Sequence, residues 1–320
     1  MRLGRLGAGT SWPGPRRHHR PSRPGKGDGK EGDAVLTDDG FILETHAASD
    51  GYLWRYRRYA AAGPVRARVV CIHGIQSHGG WYEHSCRRLA EAGFEVFFLD
   101  RRGSGLNAQD RGDAPSFRRL LRDVAEFLEA RKKDFVLKTF VVAISWGGKV
   151  AAGVVKRRPG LVDGMALLCP GFYHRLSLSL SEKAAVVWAR LTRPTRLFPI
   201  PLSDPRLFTA TEKWLKFLRE DPLTLHQATA RFLIGSAALD LYLRDAPSRI
   251  KVPVLLMLAG RDCIIDNRPT RDLVRRFAGP KEVVEYPDAH HTLEFEANPE
   301  WHITDLLDWL RRQTESSKSI

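Results

Sequence analysis

The stretch Val141-Val142-Ala143-Ile144-Ser145-Trp146-Gly147-Gly148 decides the fold class of this chain. An apolar β-run stops at a serine, and two glycines follow before a small-residue helical segment at 150–155. This order predicts a nucleophile elbow, a sharp strand-to-helix turn that holds a serine Oγ clear of the sheet. The usual motif is Gly-x-Ser-x-Gly, so Ala143 departs from it by one methyl group, while Gly147 keeps the small residue the turn needs. We therefore predict that Ser145 is a nucleophile.

Two later segments supply partners for this serine. A serine hydroxyl is a poor nucleophile until a base takes its proton, and a third group must orient that base. A buried strand from Val252 runs into the turn Gly260-Arg261-Asp262, so Asp262 lies at a carboxyl end, where ligands gather in open α/β sheets. A short strand at 282–286 precedes a loop with two adjacent histidines, His290 and His291, either of which can reach such a serine.

The remaining chain alternates strands and helices, which predicts a mostly parallel sheet with helices on both faces. Residues 35–59 predict antiparallel edge strands. The clearest further elements are strands at 65–73, 95–100 and 164–170 and helices at 82–92, 116–131, 269–277 and 299–313. Between about 171 and 247 no strand is predicted, only helical patches interrupted by prolines.

Five segments, taken together, resemble successive landmarks of the α/β-hydrolase superfamily. They are Cys71-Ile72-His73-Gly74, Leu99-Asp100-Arg101-Arg102-Gly103-Ser104-Gly105, Ser145-Trp146-Gly147-Gly148, Gly260-Arg261-Asp262 and Ala289-His290-His291. Their spacing is most similar to the monoacylglycerol lipase and lysophospholipase-like branch, often described as serine aminopeptidase-like hydrolases, and the similarity spans roughly 34–312. The resemblance implies an α/β-hydrolase fold whose mostly parallel central sheet has helices on both faces and a helical cap inserted after the sixth core strand. It divides the chain into a core at 34–170 and 248–320 and a cap or lid at 171–247.

The resemblance also implies a role for individual residues. Ser145 is the nucleophile, Asp262 the acid and His291 the base of a Ser-His-Asp triad. The oxyanion hole consists of two backbone N–H groups, those of Ile75 and Trp146. The substrate-binding residues are expected within the cap and are not identified individually.

Several nearby residues have competing interpretations. The family spacing from Ala289 favours His291 over His290 as the base. Asp266 is an alternative acid, although its position before a predicted helix is typical of a helix cap. His73 and His78 flank the oxyanion loop, residues 74–77, which carries the Ile75 amide, and both are expected to brace it. The loop containing Arg101 and Arg102 is expected to support the elbow rather than to act in catalysis.

Length and composition are those of an ordinary globular protein. The chain has 320 residues, of which 43% are hydrophobic and 28% charged, enough for one α/β domain with an insertion. It contains no run of 18 apolar residues, and residues 1–15 lack the apolar core of a secretory signal. The cysteines lack metal-ligand spacing, so we expect reduced, buried thiols, a cytoplasmic location, and neither cofactor nor metal. They are Cys71, Cys86, Cys169 and Cys263.

The charge is uneven along the chain. Residues 1–33 hold +5 of the formal net charge of +14 and are rich in Pro, Gly and Arg, which predicts a disordered basic tail. Such a tail could touch RNA or an anionic membrane, but a solvated tail or an overlong start of the reading frame is the favoured interpretation. No RNA-binding motif accompanies it, so no specific nucleic-acid partner is expected.

The cap segment 181–191 carries an apolar patch that includes Trp188 and is ringed by Lys183, Arg190, Arg193 and Arg196. This pattern is compatible with peripheral contact with a lipid surface. It is equally compatible with packing on the cap's own core, and both interpretations stay open. Three cap aromatics are expected to form cap core rather than ligand contacts: Trp214, Phe217 and Phe232.

Three functional hypotheses follow. The leading one is a serine hydrolase that cleaves carboxylic esters, monoacylglycerol-like or lysophospholipid-like lipids above all, through an acyl-enzyme. The second keeps the triad but changes the acyl group or acceptor, giving a thioesterase, aminopeptidase or acyltransferase. The third is a non-catalytic binding protein with a hydrolase fold, which has no need of Ser145, Asp262 and His291 together. An aspartate at the elbow would have indicated a dehalogenase or epoxide hydrolase, and the serine argues against both.

Overall fold

A nine-stranded sheet lies at the centre of the part of the chain that the computed structural model describes, residues 35–37, 40–132 and 137–316. Its strands are β1 (Val35–Leu36), β2 (Ile42–Ala47), β3 (Leu53–Tyr59), β4 (Ala67–Ile72), β5 (Phe94–Leu99), β6 (Thr139–Ile144), β7 (Gly164–Leu168), β10 (Val254–Ala259) and β11 (Lys281–Tyr286). A separate two-stranded ribbon consists of β8 (Leu197–Pro199) and β9 (Gln227–Thr229).

The strand order of the large sheet is β1-β2-β3-β5-β4-β6-β7-β10-β11. The pairs from β1 to β5 are antiparallel, and every later pair is parallel. The antiparallel edge predicted at 35–59 and the parallel remainder are therefore both observed. Strand β6, which leads into Ser145, is flanked by β4 and β7, so its carboxyl end lies among the ends of other parallel strands.

Helices cover both faces of this sheet, and others belong to the insertion between β7 and β10. They are α1 (Glu83–Glu91), α2 (Phe117–Arg131), α3 (Gly147–Arg157), α4 (Leu180–Thr192), α5 (Glu212–Glu220), α6 (Ala230–Tyr242), α7 (Ala246–Arg249), α8 (Asn267–Arg275) and α9 (Glu300–Glu315). Side chains alternate along β4: Val70 and Ile72 join the core layer of α2, α3 and α8, while Val69 and Cys71 join that of α1 and α9. Period-two alternation thus builds two apolar layers from one buried strand.

Helix α2 illustrates how the sequence sets an element. The Ser116 side chain accepts a hydrogen bond from the Arg119 N–H at 3.2 Å and caps the helix start. Leu120, Leu121, Val124 and the residues one turn further on are buried, which is the spacing of one helical face. Burying each large apolar side chain contributes about 1.5 to 3 kcal/mol.

The insertion between β7 and β10 contains α4, α5, α6 and the β8–β9 ribbon. The expectation that this region holds no strand is therefore wrong. The ribbon strands are three residues long, too short to show alternation. Pro199 interrupts a helical pattern, but it can also occupy an edge strand. The insertion follows the seventh strand in chain order, or the sixth if the two-residue β1 is set aside.

The bounds of the predicted core elements lie within two residues of the observed ones, except that α3 begins three residues before the predicted helical segment 150–155. The predicted basic tail, 1–33, lies outside the described residues. No helix in the described ranges has the length and apolar character needed to cross a bilayer. Cys71, Cys86 and Cys169 are free and buried as expected, but Cys263 is exposed, because it lies in the turn beyond β10 rather than in a core element.

Candidate active site

Ser145 occupies a strained turn between β6 and α3. Its φ of +52° lies in the left-handed region, which side-chain-bearing residues rarely adopt. A Cβ on Gly147 would lie 2.6 Å from the carbonyl oxygens of Ile72 and His73, so this position requires glycine. Ala143 is fully buried within β6, and its extra methyl group is accommodated there. The local backbone is therefore that of the predicted elbow.

The structure brings Ser145, His291 and Asp262 together. His291 Nε2 lies 3.0 Å from Ser145 Oγ, and His291 Nδ1 lies 2.8 Å from Asp262 Oδ2. The other carboxylate oxygen, Oδ1, accepts hydrogen bonds from the N–H groups of Ile264 and Ile265, both at 2.8 Å. With Nδ1 donating to the carboxylate, Nε2 is left to accept the serine proton, which is the arrangement a general base needs.

Asp262 is held in its ionised form. Burial by itself would raise its pKa, but the facing His291 and the two backbone N–H donors outweigh burial and lower the pKa of this carboxyl below its ordinary value. A carboxylate that stays charged at neutral pH can orient the imidazole and stabilise it once it is protonated.

The alternative acid and base are engaged elsewhere. The backbone N–H of His290 donates to Glu296 Oε1 at 2.6 Å, and its ring Nδ1 lies 3.0 Å from the same oxygen. The Asp266 side chain accepts from the Arg268 N–H at 3.3 Å and caps α8, as the helix-cap interpretation predicts. Neither side chain forms a hydrogen bond with Ser145 or His291 in the described part of the chain.

The two predicted oxyanion donors flank Ser145. Ile75, Ser145 and Trp146 all line the same cavity, and neither the Ile75 nor the Trp146 backbone N–H donates to another described residue. Trp146 is the N-terminal cap of α3, so the positive end of that helix points toward the same place. Gly171 packs behind this amide, since a Cβ there would lie 3.1 Å from Trp146 N.

His73 braces the oxyanion loop. Its Nε2 accepts the Arg101 N–H at 3.0 Å, so Nδ1 carries the proton and donates to Gly74 O at 2.7 Å. Burial lowers the pKa of His73 to about 3, which keeps the ring neutral and the tautomer fixed. This geometry agrees with the scaffold role expected for the residue.

His78 links the core to the insertion. Its Nε2 lies 2.9 Å from Asp221 Oδ2, and Trp81 Nε1 donates to the same oxygen at 2.8 Å. Thr224 Oγ1 adds a third donor at 2.7 Å. Asp221 was not singled out from the sequence, because it is separated from its histidine partner by 143 residues and no local pattern marks it.

A cavity of about 410 Å³ extends from Ser145 beneath the insertion. Its wall is mainly apolar and includes Val186 of α4, Ile200 and Leu202 of the connecting loop, Leu233 and Ile234 of α6, and Ile265 of the core. The wall also contains one ion pair that the sequence did not reveal. Lys149 Nζ lies 2.6 Å from Asp240 Oδ1, and the lysine side chain is 3% exposed.

The apolar residues of α4 divide between the interior and the solvent. Val186 and Ala189 are buried, whereas Leu180, Trp188 and Leu191 are 84%, 66% and 75% exposed. Packing on the cap's own core therefore accounts for one face of the helix, and contact of the exposed face with a lipid surface stays a prediction. The aromatics expected to form cap core do not line the cavity: Trp214 and Phe217 pack on Phe295 of the core, and Phe232 packs on Trp146.

One group of side chains in the described ranges could hold a metal ion: Cys169, Asp262 and His291, whose donor atoms lie within 4.8 Å of one another. Both ring nitrogens of His291 are already engaged, by Ser145 and by Asp262. The arrangement suits proton transfer better than metal coordination.

Comparison with known proteins gives a consistent result. The profile of a family described as "Serine aminopeptidase, S33" matches residues 63–298. The chain is 28% identical over 261 residues to the protein YnbC of Escherichia coli (strain K12), covering 78% of this chain and 43% of YnbC, so it spans under half of that relative. It is 25% identical over 281 residues to the monoglyceride lipase of Homo sapiens, covering 84% of this chain and 90% of the lipase. The crystal structure of Paleococcus ferrophilus monoacylglycerol lipase superposes with a TM-score of 0.73 at 23% identity, covering 81% and 98% of the two chains. These matches confirm the predicted fold class.

Proposed function

Because this chain belongs to the serine aminopeptidase (S33) family, in the monoglyceride lipase and lysophospholipase-like branch of the α/β-hydrolases, we propose that it hydrolyses carboxylic esters. Ser145 is the nucleophile, His291 the general base and Asp262 the orienting acid. The observation that carries the proposal is the unbroken hydrogen-bond chain from Ser145 Oγ through His291 to Asp262, with steps of 3.0 and 2.8 Å.

The reaction proceeds in two halves. Ser145 Oγ attacks the ester carbonyl carbon while its proton passes to His291 Nε2, and the carbonyl electron pair moves to the oxygen. The Ile75 and Trp146 N–H groups donate to that oxyanion. Collapse of the intermediate breaks the bond to the alcohol, which leaves with the proton from His291. Water then attacks the acyl-enzyme by the same route, releasing the acid and restoring Ser145.

We propose that the substrate is a monoester of a medium or long acyl chain, such as a monoacylglycerol-like or lysophospholipid-like lipid. The apolar cavity between Ser145 and α6 supports this substrate class, because acyl pockets are mostly apolar with few polar groups. Human monoglyceride lipase and the lysophospholipase L2 of E. coli (strain K12), relatives at 25% identity, carry names of the same kind.

Acyl-chain length is expected to govern activity on a panel of 4-nitrophenyl or glycerol monoesters. Each added methylene buried in the cavity is worth up to about 0.8 kcal/mol, or about fourfold in kcat/KM, until the cavity is full. Medium and long chains should therefore exceed acetate by more than about tenfold. Leu233→Phe narrows the cavity and should depress long-chain but not acetate turnover.

The control for this variant is Leu241→Phe, because Leu241 lies on the same helix but is 57% exposed and outside the cavity wall. A flat or inverted chain-length profile, or equal effects of the two variants, would contradict the acyl-pocket assignment. It would favour another acyl group or acceptor, as in a thioesterase or acyltransferase.

One observation bears on an aminopeptidase function. Asp240 is the acid of the insertion that lines the cavity, and a carboxylate there could bind a free α-amine. Its Oδ1 already pairs with the buried Lys149 at 2.6 Å, and this ammonium neutralises the charge that would attract an amine. We therefore expect aminoacyl 4-nitroanilides to be poor substrates, and their rapid cleavage would move the assignment to an aminopeptidase.

The exposed face of α4 is proposed to contact a lipid surface. Leu180, Trp188 and Leu191 project there, and Lys183 and Arg190 lie on the same exposed helix. Apolar side chains bordered by cations are typical of interfacial helices, in which burial and attraction to anionic lipid act together. The cytoplasmic location expected from the sequence stays a prediction.

A Trp188→Ala/Leu191→Ala variant should bind anionic vesicles at least about tenfold more weakly than the unmodified protein, since each large apolar side chain inserted contributes about 1.5 to 3 kcal/mol. Sedimentation with vesicles of phosphatidylcholine and phosphatidylglycerol measures this. Trp301→Ala is the matched control, because Trp301 is also an exposed tryptophan but lies on α9, outside the insertion. Unchanged binding of the double variant would remove α4 as the contact.

A further inference from the structure

Arg101 lies directly behind the oxyanion loop. Its Nη1 donates to Gly74 O at 2.9 Å and its Nη2 to Ile75 O at 2.8 Å. Ile75 lines the cavity and Arg101 does not, so the loop separates the guanidinium from the space that a substrate would fill. The side chain therefore acts on the loop and not on the substrate.

The first of these contacts fixes the direction of an oxyanion donor. Gly74 O and the Ile75 N–H belong to one peptide unit, which is planar and trans, so the two groups point in opposite directions. The carbonyl is held by Arg101 Nη1 on one side and by His73 Nδ1 at 2.7 Å. Anchoring the oxygen away from the cavity aims the N–H into it. A charged donor on the oxygen also polarises the peptide and makes its N–H a stronger donor.

The same guanidinium contacts the residue that carries the second donor. The Arg101 Cζ lies 5.2 Å from the ring centroid of Trp146 and 5.1 Å from that of Phe232 on α6, both within the range of cation–π interactions. One side chain thus touches both residues whose amides line the predicted oxyanion hole.

The surroundings of Arg101 are less favourable for a charged side chain than those of the neighbouring arginines. Arg57 and Arg102 in the same region pair with carboxylates, Asp100 at 3.0 Å and Asp123 at 2.7 Å. Arg101 forms no ion pair with a described carboxylate, and its enclosed Nε finds no acceptor in the described ranges. Arg101 is only partly exposed to solvent, and enclosing part of a cation without an ion-pair partner has a cost in folding stability. Local rules are broken in this way where function requires it.

We propose that Arg101 is a positioning residue of the oxyanion hole, holding the Gly74–Ile75 peptide and Trp146 so that both backbone N–H groups point at the developing charge. The inference rests on the ester hydrolysis proposed above. It gives these backbone donors a side chain through which they can be tested, since only proline at Ile75 or Trp146 would remove the N–H, and proline also constrains the backbone.

The test compares Arg101→Lys and Arg101→Met with Arg102→Lys. Lysine keeps the charge but lacks the planar fork that directs two separate N–H groups at the two carbonyl oxygens. Arg102 is an adjacent arginine whose partners are Asp50 and Asp123 rather than the loop. Complete loss of one oxyanion donor costs about 100- to 1,000-fold in kcat, so misdirecting the donors should cost about tenfold to a few hundredfold. KM should change little, because the ground-state carbonyl is not the group being stabilised.

The decisive readout is affinity for a trifluoromethyl ketone, which forms a tetrahedral adduct bearing an oxyanion, against affinity for an unreactive ether analogue of the same chain length. Both Arg101 variants should lose ketone affinity in proportion to kcat and keep ether affinity, whereas Arg102→Lys should keep both. Equal losses of kcat in the Arg101 and Arg102 variants that follow the fall in Tm would make Arg101 merely structural and overturn the proposal.

Fluorophosphonate labelling separates this inference from the function on which it rests. If the unmodified protein is labelled and hydrolyses esters but the Arg101 variants react at the same rate, the positioning role fails and ester hydrolysis stands. If the unmodified protein neither labels nor hydrolyses any ester of the panel, both proposals fail together.

Discussion

Replacement of Ser145 by alanine is expected to abolish both ester turnover and labelling by a fluorophosphonate. Loss of the nucleophile of a comparable triad lowers kcat on the order of a million-fold, because the acyl-enzyme can no longer form. The Ser145 hydroxyl lies 3.0 Å from the ring nitrogen of His291, and the phosphonate should react with this oxygen alone. Labelling is read by intact-protein mass, and turnover by release of 4-nitrophenol from a medium-chain ester.

Ser177→Ala is the matched control, because Ser177 is a second serine in the wall of the same cavity. It should keep its labelling and most of its activity. The Ser145 variant should unfold at the temperature of the unmodified protein or slightly above it, since alanine is smaller than serine and adopts the same backbone conformation in the turn. Labelling that persists in Ser145→Ala would show that the nucleophile lies elsewhere.

The elbow was predictable because its determinants are local. A buried strand, a serine and a glycine two residues later define one turn. That turn places Ser145 at a φ of +52° and brings Gly147 so near two carbonyl oxygens that a Cβ there would lie 2.6 Å from them. The order of the acid and histidine segments along the chain gave the rest of the predicted triad. The choice of His291 over His290 came from a family resemblance and not from the residues themselves.

The contacts that support the site were not predictable in the same way. Arg101 and the carbonyls of Gly74 and Ile75 lie 27 and 26 residues apart, and Lys149 meets Asp240 only because α6 packs beside α3. Hydrophobic periodicity shows which face of an element is buried but not which distant polar group faces it. The loop of Arg101 was expected to support the elbow; the Arg101 guanidinium packs on Trp146 of the elbow, and its hydrogen bonds to Gly74 and Ile75 are an addition that the sequence did not predict.

The insertion shows most clearly which elements a sequence pattern can predict and which it cannot. Its helices follow from apolar spacing and caps, such as the Ser179–Glu182 capping box at the start of α4. Its ribbon does not, because Leu197–Pro199 and Gln227–Thr229 pair across some thirty residues and are each too short to carry a strand pattern. Which apolar residues of α4 are buried and which are exposed is likewise decided by tertiary packing and not by the local sequence.

His291→Ala is expected to lower kcat on the order of 10,000-fold or more, by analogy with other triads, whereas His290→Ala should matter far less. The two neighbours provide a comparison in which residue type and sequence position are nearly identical and only the contacts differ. His291 is 3% exposed and joins Ser145 Oγ to Asp262 Oδ2, while the His290 side chain is 20% exposed and faces Glu296. Removing His291 leaves the serine proton with no acceptor and the Asp262 carboxylate without its main partner, so both the attack and the departure of the alcohol are slowed. Removing the His290 ring deletes one partly exposed contact with Glu296, and the backbone N–H of residue 290 still donates to the same carboxylate.

Steady-state kinetics on one medium-chain ester, with Tm measured for each variant, tests whether His291 or His290 is the base. Equal losses of kcat in the two variants would require the base to be reassigned.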